Sequence, residues 1–222
     1  MTSSVDLDIW LREKLPFDFD LLPAEAYLVG GAVRDVLLGR EREYLDLDFV
    51  LPANSIPLAK KIAHICQAGF VILDQTREIA RVVFAQGTVD FAKQEGATLE
   101  EDLYRRDFTI NAIAYQKKKK KIIDPLGGKR DLEQKLVRMV SVQNLKDDPL
   151  RLIRAYRQAG QLDLNIEIET RKQIIKLAPL LQQVAAERVK TEINYMLETP
   201  QGTAWLIEAI SDGLLVDWLP TT

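Results

Sequence analysis

Cysteine and histidine are almost absent from this chain: 222 residues hold one of each, Cys66 and His64. A single cysteine excludes an intrachain disulfide and a cysteine-built zinc centre, and it suits a reducing cytosol. A single histidine excludes a histidine dyad or a His-rich metal site, and His64 falls in an amphipathic helical stretch, Leu58 to Gln67, where it reads as structural. No apolar run approaches the ~20 residues of a membrane helix. Met1 to Trp10 lacks the basic segment and apolar run of a signal peptide. A cytoplasmic protein with no membrane partner is expected. Charge of one sign is lacking too: 30 Lys and Arg against 33 Asp and Glu give a net charge of −3. That balance does not advertise a nucleic-acid binder, whose domains are often strongly basic, although local patches matter more than the total.

What is present is a globular composition, 47% hydrophobic and 28% charged, with ample length for one large domain or two small ones. The periodicity divides the chain. Strands are expected at Tyr27 to Val29, Tyr44 to Leu51, Phe70 to Leu73, Ile79 to Ala85 and Thr88 to Ala92. Helices are expected over residues 1–22 in part, Ala32 to Leu38, Pro57 to Ala68 and Asp107 to Tyr115. Five lysines, Lys117 to Lys121, read as an exposed hairpin tip or loop, with a weak phosphate-backbone contact as the functional alternative. Beyond about residue 140 the pattern is helical: Pro149 to Gly160, Thr170 to Leu181, Ala186 to Leu197 and Pro200 to Ile210. The expected fold class is α+β, with a mixed-sheet domain over residues 1–140 and a helical domain over 141–222, joined near Arg138 to Lys146.

Three blocks carry chemistry. In the first, Gly30-Gly31 turns a strand into a helix and lets backbone N–H groups approach an anion, and Arg34 offers a charge-assisted contact one turn later. Twelve residues after Arg34-Asp35 begins the pair Asp46-Leu47-Asp48. Residues two apart on a strand point the same way, and two adjacent carboxylates repel unless a cation lies between them. Hard oxygen ligands suit Mg²⁺, and two such metals can clamp an in-line phosphoryl displacement. Asp90, in Thr88-Val89-Asp90-Phe91, is the candidate third catalytic carboxylate, with a plain strand-end aspartate as the alternative. The second block, Arg105-Arg106-Asp107-Phe108-Thr109-Ile110-Asn111, places Arg106 to hold a triphosphate oxygen and Asp107 and Asn111 on one helical face. In the third, Asp148 is expected as an N-cap and Pro149 as N1. Arg151, Arg154 and Arg157 then form one ridge, either a solvated face or a reader of base edges.

Together these blocks resemble the bacterial-type tRNA nucleotidyltransferase and poly(A) polymerase family. The matching stretches are Leu28-Val29-Gly30-Gly31-Ala32-Val33-Arg34-Asp35, Asp46-Leu47-Asp48, Arg105-Arg106-Asp107, Ile123-Asp124-Pro125-Leu126-Gly127-Gly128, Asp148-Pro149-Leu150-Arg151 with Arg154 and Arg157, and Glu187-Arg188-Val189-Lys190-Thr191-Glu192. The resemblance implies a nucleotidyltransferase head and a helical neck, adding nucleotides to a tRNA 3′ end from CTP and ATP without a nucleic-acid template. It implies that Asp46 and Asp48 hold Mg²⁺, and that Gly30, Gly31, Arg34 and Arg106 face the phosphates and sugar. It further implies that Asp148 and Arg151 template the base edge, with Arg154 and Arg157 completing the nucleotide pocket beside Asp107 and Asn111.

The chain departs from the family pattern in four places. Only Phe91 to Asp102 separates the Asp90 strand from the second block, where members carry a longer segment tied to switching from C to A addition, so CC-addition is expected rather than full CCA-addition. Asp147 stands where glutamate is common. Phe91-Ala92-Lys93 replaces a threonine-rich, arginine-ended segment. Thr222 follows soon after the neck, where members continue into helical domains that grip tRNA, so affinity for tRNA is expected to be low or to need another chain. Two rival readings stay open: a poly(A) polymerase acting on other RNA, and a non-catalytic nucleotide- or RNA-binding module.

Overall fold

The computed structural model describes residues 6–41 and 43–218, so the first residues of the segment read as signal-free lie outside it. The chain gathers into two compact units. One holds the described residues up to Tyr104 together with Asn111–Leu126; the other holds Arg105–Ile110 and the chain from Gly127 onward. The short segment Arg105–Ile110 belongs to the second unit. Its membership has a backbone cause: Thr109 N–H donates to the Arg138 carbonyl and Val140 N–H to the Asp107 carbonyl.

The first unit is built on a mixed sheet of seven strands: β1 (Tyr27–Val29), β2 (Leu45–Leu51), β3 (Gly69–Asp74), β4 (Ile79–Phe84), β5 (Gly87–Lys93), β6 (Ala114–Gln116) and β7 (Lys121–Ile123). Their order is β3-β4-β5-β2-β1-β6-β7. Only β2 and β5 run parallel; the other neighbours are antiparallel. Helices α1 (Leu7–Lys14), α2 (Gly31–Leu37), α3 (Ser55–Cys66) and α4 (Leu99–Tyr104) complete the unit.

The pleat sorts the side chains of β2, β4 and β5 by chemistry. Leu47 and Phe49, Ala80 and Val82, and Val89 and Phe91 alternate onto one face and are all essentially inaccessible. They are covered by α3, whose Ala59, Ile62 and Ala63 are buried with them, and the Phe49 and Phe91 rings stack 5.6 Å apart. The opposite face takes the intervening polar residues. Burial on one side fixes the register, because a slip of one residue would exchange the two faces.

The lysine run is a hairpin tip between β6 and β7, as its sequence suggested, with one exception. The Lys117 ammonium turns inward, donating to the carbonyls of Phe19 and Leu22 at 2.7 and 2.8 Å and lying 4.2 Å from the Phe19 ring centroid. Desolvation there lowers its pKa from the usual lysine range, against the pull of Asp20, Asp18 and Asp8.

The expected helix over Asp107 to Tyr115 does not form. Thr109–Asn111 makes a single 3₁₀ turn and the chain enters β6 at Ala114. Tertiary pairing overrides local propensity: the backbone groups are claimed on one side by Arg138 and Val140 and on the other by β1, where Leu28 pairs with Tyr115. Asp107 and Asn111 therefore do not share a helical face.

The second unit contains α5 (Gly128–Glu133), α6 (Val142–Asp147), α7 (Leu150–Leu162), α8 (Ile168–Leu177), α9 (Ala186–Leu197) and α10 (Pro200–Ser211). A short parallel pair, β8 (Leu136–Val137) with β9 (Asn165–Ile166), interrupts the helices. The helical pattern after Thr170 tightens into a 3₁₀ segment, Ala178–Gln183, where Pro179 cannot donate to an α-helical ladder. Helix α7 is the axis of the unit, with nine of its 13 residues buried. Tyr156 lies edge-on to Trp205 at 6.1 Å and donates its phenolic hydrogen to Asp212 at 2.6 Å. Thr199 caps α10 through Gly202 N–H, with Pro200 at its first position as expected.

Candidate active site

The first unit's three candidate carboxylates sit on the sheet face opposite the apolar one. Asp46 and Asp48 project together from β2; in the parallel pairing Asp46 lies beside Thr88 and Asp48 beside Asp90. Asp46 is exposed and Asp48 half-buried. The Thr88 hydroxyl donates to Asp46 Oδ1 at 3.2 Å, which orients that carboxylate. No group of three or more His, Cys, Asp or Glu is gathered at metal-holding distance among the described residues. The donor set still fits Mg²⁺, which binds through one or two carboxylates and takes its remaining oxygens from water and substrate phosphates.

Asp90 lies on the same face, but its carboxylate is engaged. Arg81, opposite it on β4, donates from Nε to Oδ1 at 2.7 Å and from Nη2 to Oδ2 at 2.8 Å. The hydrogen bonds to Asp90, with the fields of Asp46 and Asp48 behind them, raise the Arg81 pKa further above its ordinary value despite its desolvation. Arg81 was not picked out from the sequence. Its signal was a lone charge inside an otherwise apolar strand, Ile79-Ala80-Arg81-Val82-Val83-Phe84.

The Gly30–Gly31 turn follows β1. Gly30 takes φ 73° and ψ −138°, a backbone state that L side chains avoid, and its N–H donates to the Ile113 carbonyl at 3.3 Å. Gly31 begins α2 with the Arg34 guanidinium alongside. Arg34 is 6% exposed and turned inward. It donates to Asp35 Oδ1 at 2.8 Å and to Asn111 Oδ1 at 2.6 Å, so the structure joins two predicted residues, Arg34 and Asn111, by a direct buried hydrogen bond.

The other candidates lie in the second unit. Asp107 is buried; its Oδ1 accepts from Phe108 N–H at 2.8 Å and its Oδ2 lies 3.3 Å from Arg154 Nη2. Arg106 is half-buried, and its carbonyl accepts from Asn144 Nδ2 at 2.7 Å. Arg151 donates to the carbonyls of Arg105 and Asn144 at 3.0 and 3.1 Å. Arg157 donates to Glu192 through Nε and to Gln161 at 2.6 Å. The arginine ridge of α7 is thus half-buried, and each of its three guanidinium groups is engaged.

Asp148 does not cap α7. Its side chain accepts from Arg188 Nη2 at 3.2 and 3.3 Å, and only its backbone carbonyl takes part in the first turn, accepting from Arg151 N–H. The carboxylate is instead held by the Arg188 guanidinium, an ion pair that outcompetes a neutral backbone N–H for it. Glu192 and Arg188 were quoted in a matching stretch but given no role. Spacing within α9 alone does not reveal partners that lie 35 and 40 residues away.

Comparisons with known proteins identify the family. Residues 26–138 match the poly(A) polymerase head domain, and residues 163–222 match a probable RNA- and SrmB-binding site of polymerase A. A CC-adding tRNA nucleotidyltransferase of Synechocystis sp. is 58% identical over 208 residues, 94% of this chain and 50% of that protein. One from Geobacter sulfurreducens is 40% identical over 191 residues, 85% of this chain and 44% of that protein. A solved tRNA nucleotidyltransferase complexed with a primer tRNA and an incoming ATP analog superposes with a TM-score of 0.75 at 34% identity, covering 86% of this chain and 58% of that one. The chain spans about half the length of the curated relatives it matches. On this evidence the chain belongs to the poly(A) polymerase head-domain family.

Proposed function

We propose that this chain carries the catalytic head and neck of an RNA nucleotidyltransferase that adds cytidylate, from CTP, to the 3′ end of tRNA. The observation that carries the reading is the pair Asp46 and Asp48, side by side on the open face of a sheet whose family and relatives are nucleotidyl-transferring. Asp46 and Asp48 would hold Mg²⁺, which when bound supplies a Lewis acid for the RNA 3′-hydroxyl and counter-charge for the triphosphate. The remaining work is positioning and charge placement, which dominate phosphoryl transfer. Thr88 keeps the Asp46 carboxylate in one orientation. Gly30 and Gly31 leave the backbone bare for close approach by phosphate oxygens. Arg34 and Asn111, bonded to each other inside the head, brace that turn.

In the neck, Arg106 is a nucleotide-binding group. Asp148 and Arg151 read the base edge, because a carboxylate only accepts and a guanidinium only donates hydrogen bonds. Arg154 and Arg157, fixed by Asp107 and Glu192, keep that reader rigid. Restriction to CC addition is supported by the short stretch between β5 and the second block, and by the CC-adding names of the two relatives described above. ATP is expected to be a poor substrate for the final position.

The test is incubation of the purified chain with Mg²⁺, labelled CTP or ATP, and three tRNAs: one lacking the whole CCA end, one lacking its last two nucleotides, and one lacking only the terminal A. Addition of C alone supports the reading. Efficient terminal A addition refutes the CC restriction, and A runs on unrelated RNA would make the chain a poly(A) polymerase. Nucleotide binding without incorporation on any acceptor would leave a binding module.

A further inference from the structure

Three carboxylates face one side of three adjacent strands: Asp46 and Asp48 on β2 and Asp90 on β5. Arg81 on β4 is the cation hydrogen-bonded to Asp90 on that face. It meets Asp90 in the fork-to-fork geometry of the strongest ion pairs, both nitrogens on both oxygens, at 2.7 and 2.8 Å. The Asp90 side chain is 14% exposed and that of Arg81 37%, so the pair is partly shielded from water and is not a floating surface contact. A guanidinium stays charged throughout the working pH range.

We propose that Arg81 is a positioning residue that withholds Asp90 from the metal, so that the divalent ion is held by Asp46 and Asp48 alone. This rests on the reading of that pair as the metal site. Two consequences follow from charge and geometry. The face presents a formal charge of −2 instead of −3, which lessens its repulsion of an incoming triphosphate. The ion also keeps more coordination positions for substrate oxygens, which Mg²⁺ sites of this kind require. Freed of Arg81, Asp90 stands next to Asp48 in register and becomes a third ligand.

The experiment measures Mn²⁺ affinity of the full chain by electron paramagnetic resonance, with circular dichroism to check folding. Wild type, Arg81→Gln, Arg81→Lys, Asp90→Asn, Arg81→Gln with Asp90→Asn, and Asp46→Asn are compared. Arg81→Gln is expected to tighten Mn²⁺ binding about tenfold, the scale on which changes around metal ligands act. Asp90→Asn alone leaves Arg81 uncompensated beside the pair and should weaken binding several-fold, whereas adding it to Arg81→Gln removes both charges together and should restore the wild-type value. Arg81→Lys, which keeps the charge but not the fork, should fall between. A purely structural role for Arg81 would loosen the site, not tighten it.

Unchanged or weaker binding in Arg81→Gln, or failure of the added Asp90→Asn to bring Arg81→Gln back to the wild-type value, overturns the proposal. Loss of Mn²⁺ binding in Asp46→Asn alongside a flat Arg81→Gln would sink the Arg81 role while sparing the metal pair. Unchanged binding in Asp46→Asn would sink both.

Discussion

Two adjacent glycines should respond in opposite ways to the same added methyl group. Gly30 has φ 73° and ψ −138°. An alanine held there costs roughly 1–3 kcal/mol, the usual strain of a non-glycine residue in a sparsely populated region. Relaxing the strain would move the Gly30 N–H off the Ile113 carbonyl and loosen the entry to α2. Gly31 differs. It sits in the helix with no positive φ, and a Cβ there would meet the Arg34 guanidinium at 3.4 Å, an ordinary contact. Gly31→Ala should be neutral, or stabilising by up to about 0.5–1 kcal/mol, because alanine has less backbone freedom to lose. For a protein of this size about 2 kcal/mol corresponds to roughly 4–8 °C in the melting temperature. Thermal melts followed by circular dichroism should therefore show Gly30→Ala falling by several degrees and Gly31→Ala holding or rising. Calorimetric titration with CTP should show the converse discrimination: Gly31→Ala stays folded but loses affinity, if the bare turn is the phosphate cradle proposed above. Equal melting temperatures for the two variants would refute the assignment of strain to Gly30. Unimpaired CTP binding by Gly31→Ala would refute the role of the bare backbone.

Three further outcomes are expected. Asp46→Asn should abolish nucleotidyl transfer while leaving the melting temperature within a degree or two, since Asp46 is exposed and its mapped hydrogen bond comes only from Thr88; loss of folding instead would make it a structural residue. Glu192→Gln should cost about 2 kcal/mol in urea unfolding, the scale of a charge-assisted hydrogen bond at a partly exposed pair, because Arg157 and Arg154 lose their shared anion; a change below about 0.5 kcal/mol would show those arginines to be satisfied elsewhere. For Asp212, burial raises the carboxyl pKa, but hydrogen bonds from Arg171 and Tyr156 outweigh it, and the net position is below the ordinary 3.8. A depressed folded-state value contributes stability above the unfolded pKa that is lost as pH falls through the folded one, so Asp212→Asn should flatten the acid limb of the stability profile below about pH 4; an unchanged limb would refute the linkage.

The elements legible in the sequence were those whose stabilising partners lie within one turn or one pleat. Alternation marked β2, β4 and β5 because one of their faces is buried under α3. Thr199-Pro200 marked the start of α10 because cap and helix are neighbours in the chain. The misread element, Asp107 to Tyr115, has a composition that tolerates a helix. Its backbone groups are instead taken by Arg138 and Val140 and by Leu28 and its neighbours, more than 25 residues away, with β7 pairing to Ala114 and Tyr115 on the other side. Local helical pattern cannot report such competition.

Residue identity located the carboxylates and arginines of the candidate site, but availability for chemistry is a property of their partners. Asp46, Asp48 and Asp90 look alike as letters on two strands. They become unequal when β4 brings Arg81 into a bidentate pair with Asp90. Arg151, Arg154 and Arg157 look alike at intervals of three, yet Arg151 is held by two carbonyls, Arg154 by Asp107, and Arg157 by Glu192. A guanidinium fixed on backbone carbonyls keeps its position whatever the pH, while one fixed on a carboxylate depends on that carboxylate remaining ionised. Removing the carboxylate should therefore release Arg157 and leave Arg151 in place. The expected outcome is that Glu192→Gln loosens Arg157, read as line broadening of its guanidinium NMR signals, while the Arg151 signals are unchanged; equal broadening of both would refute the distinction.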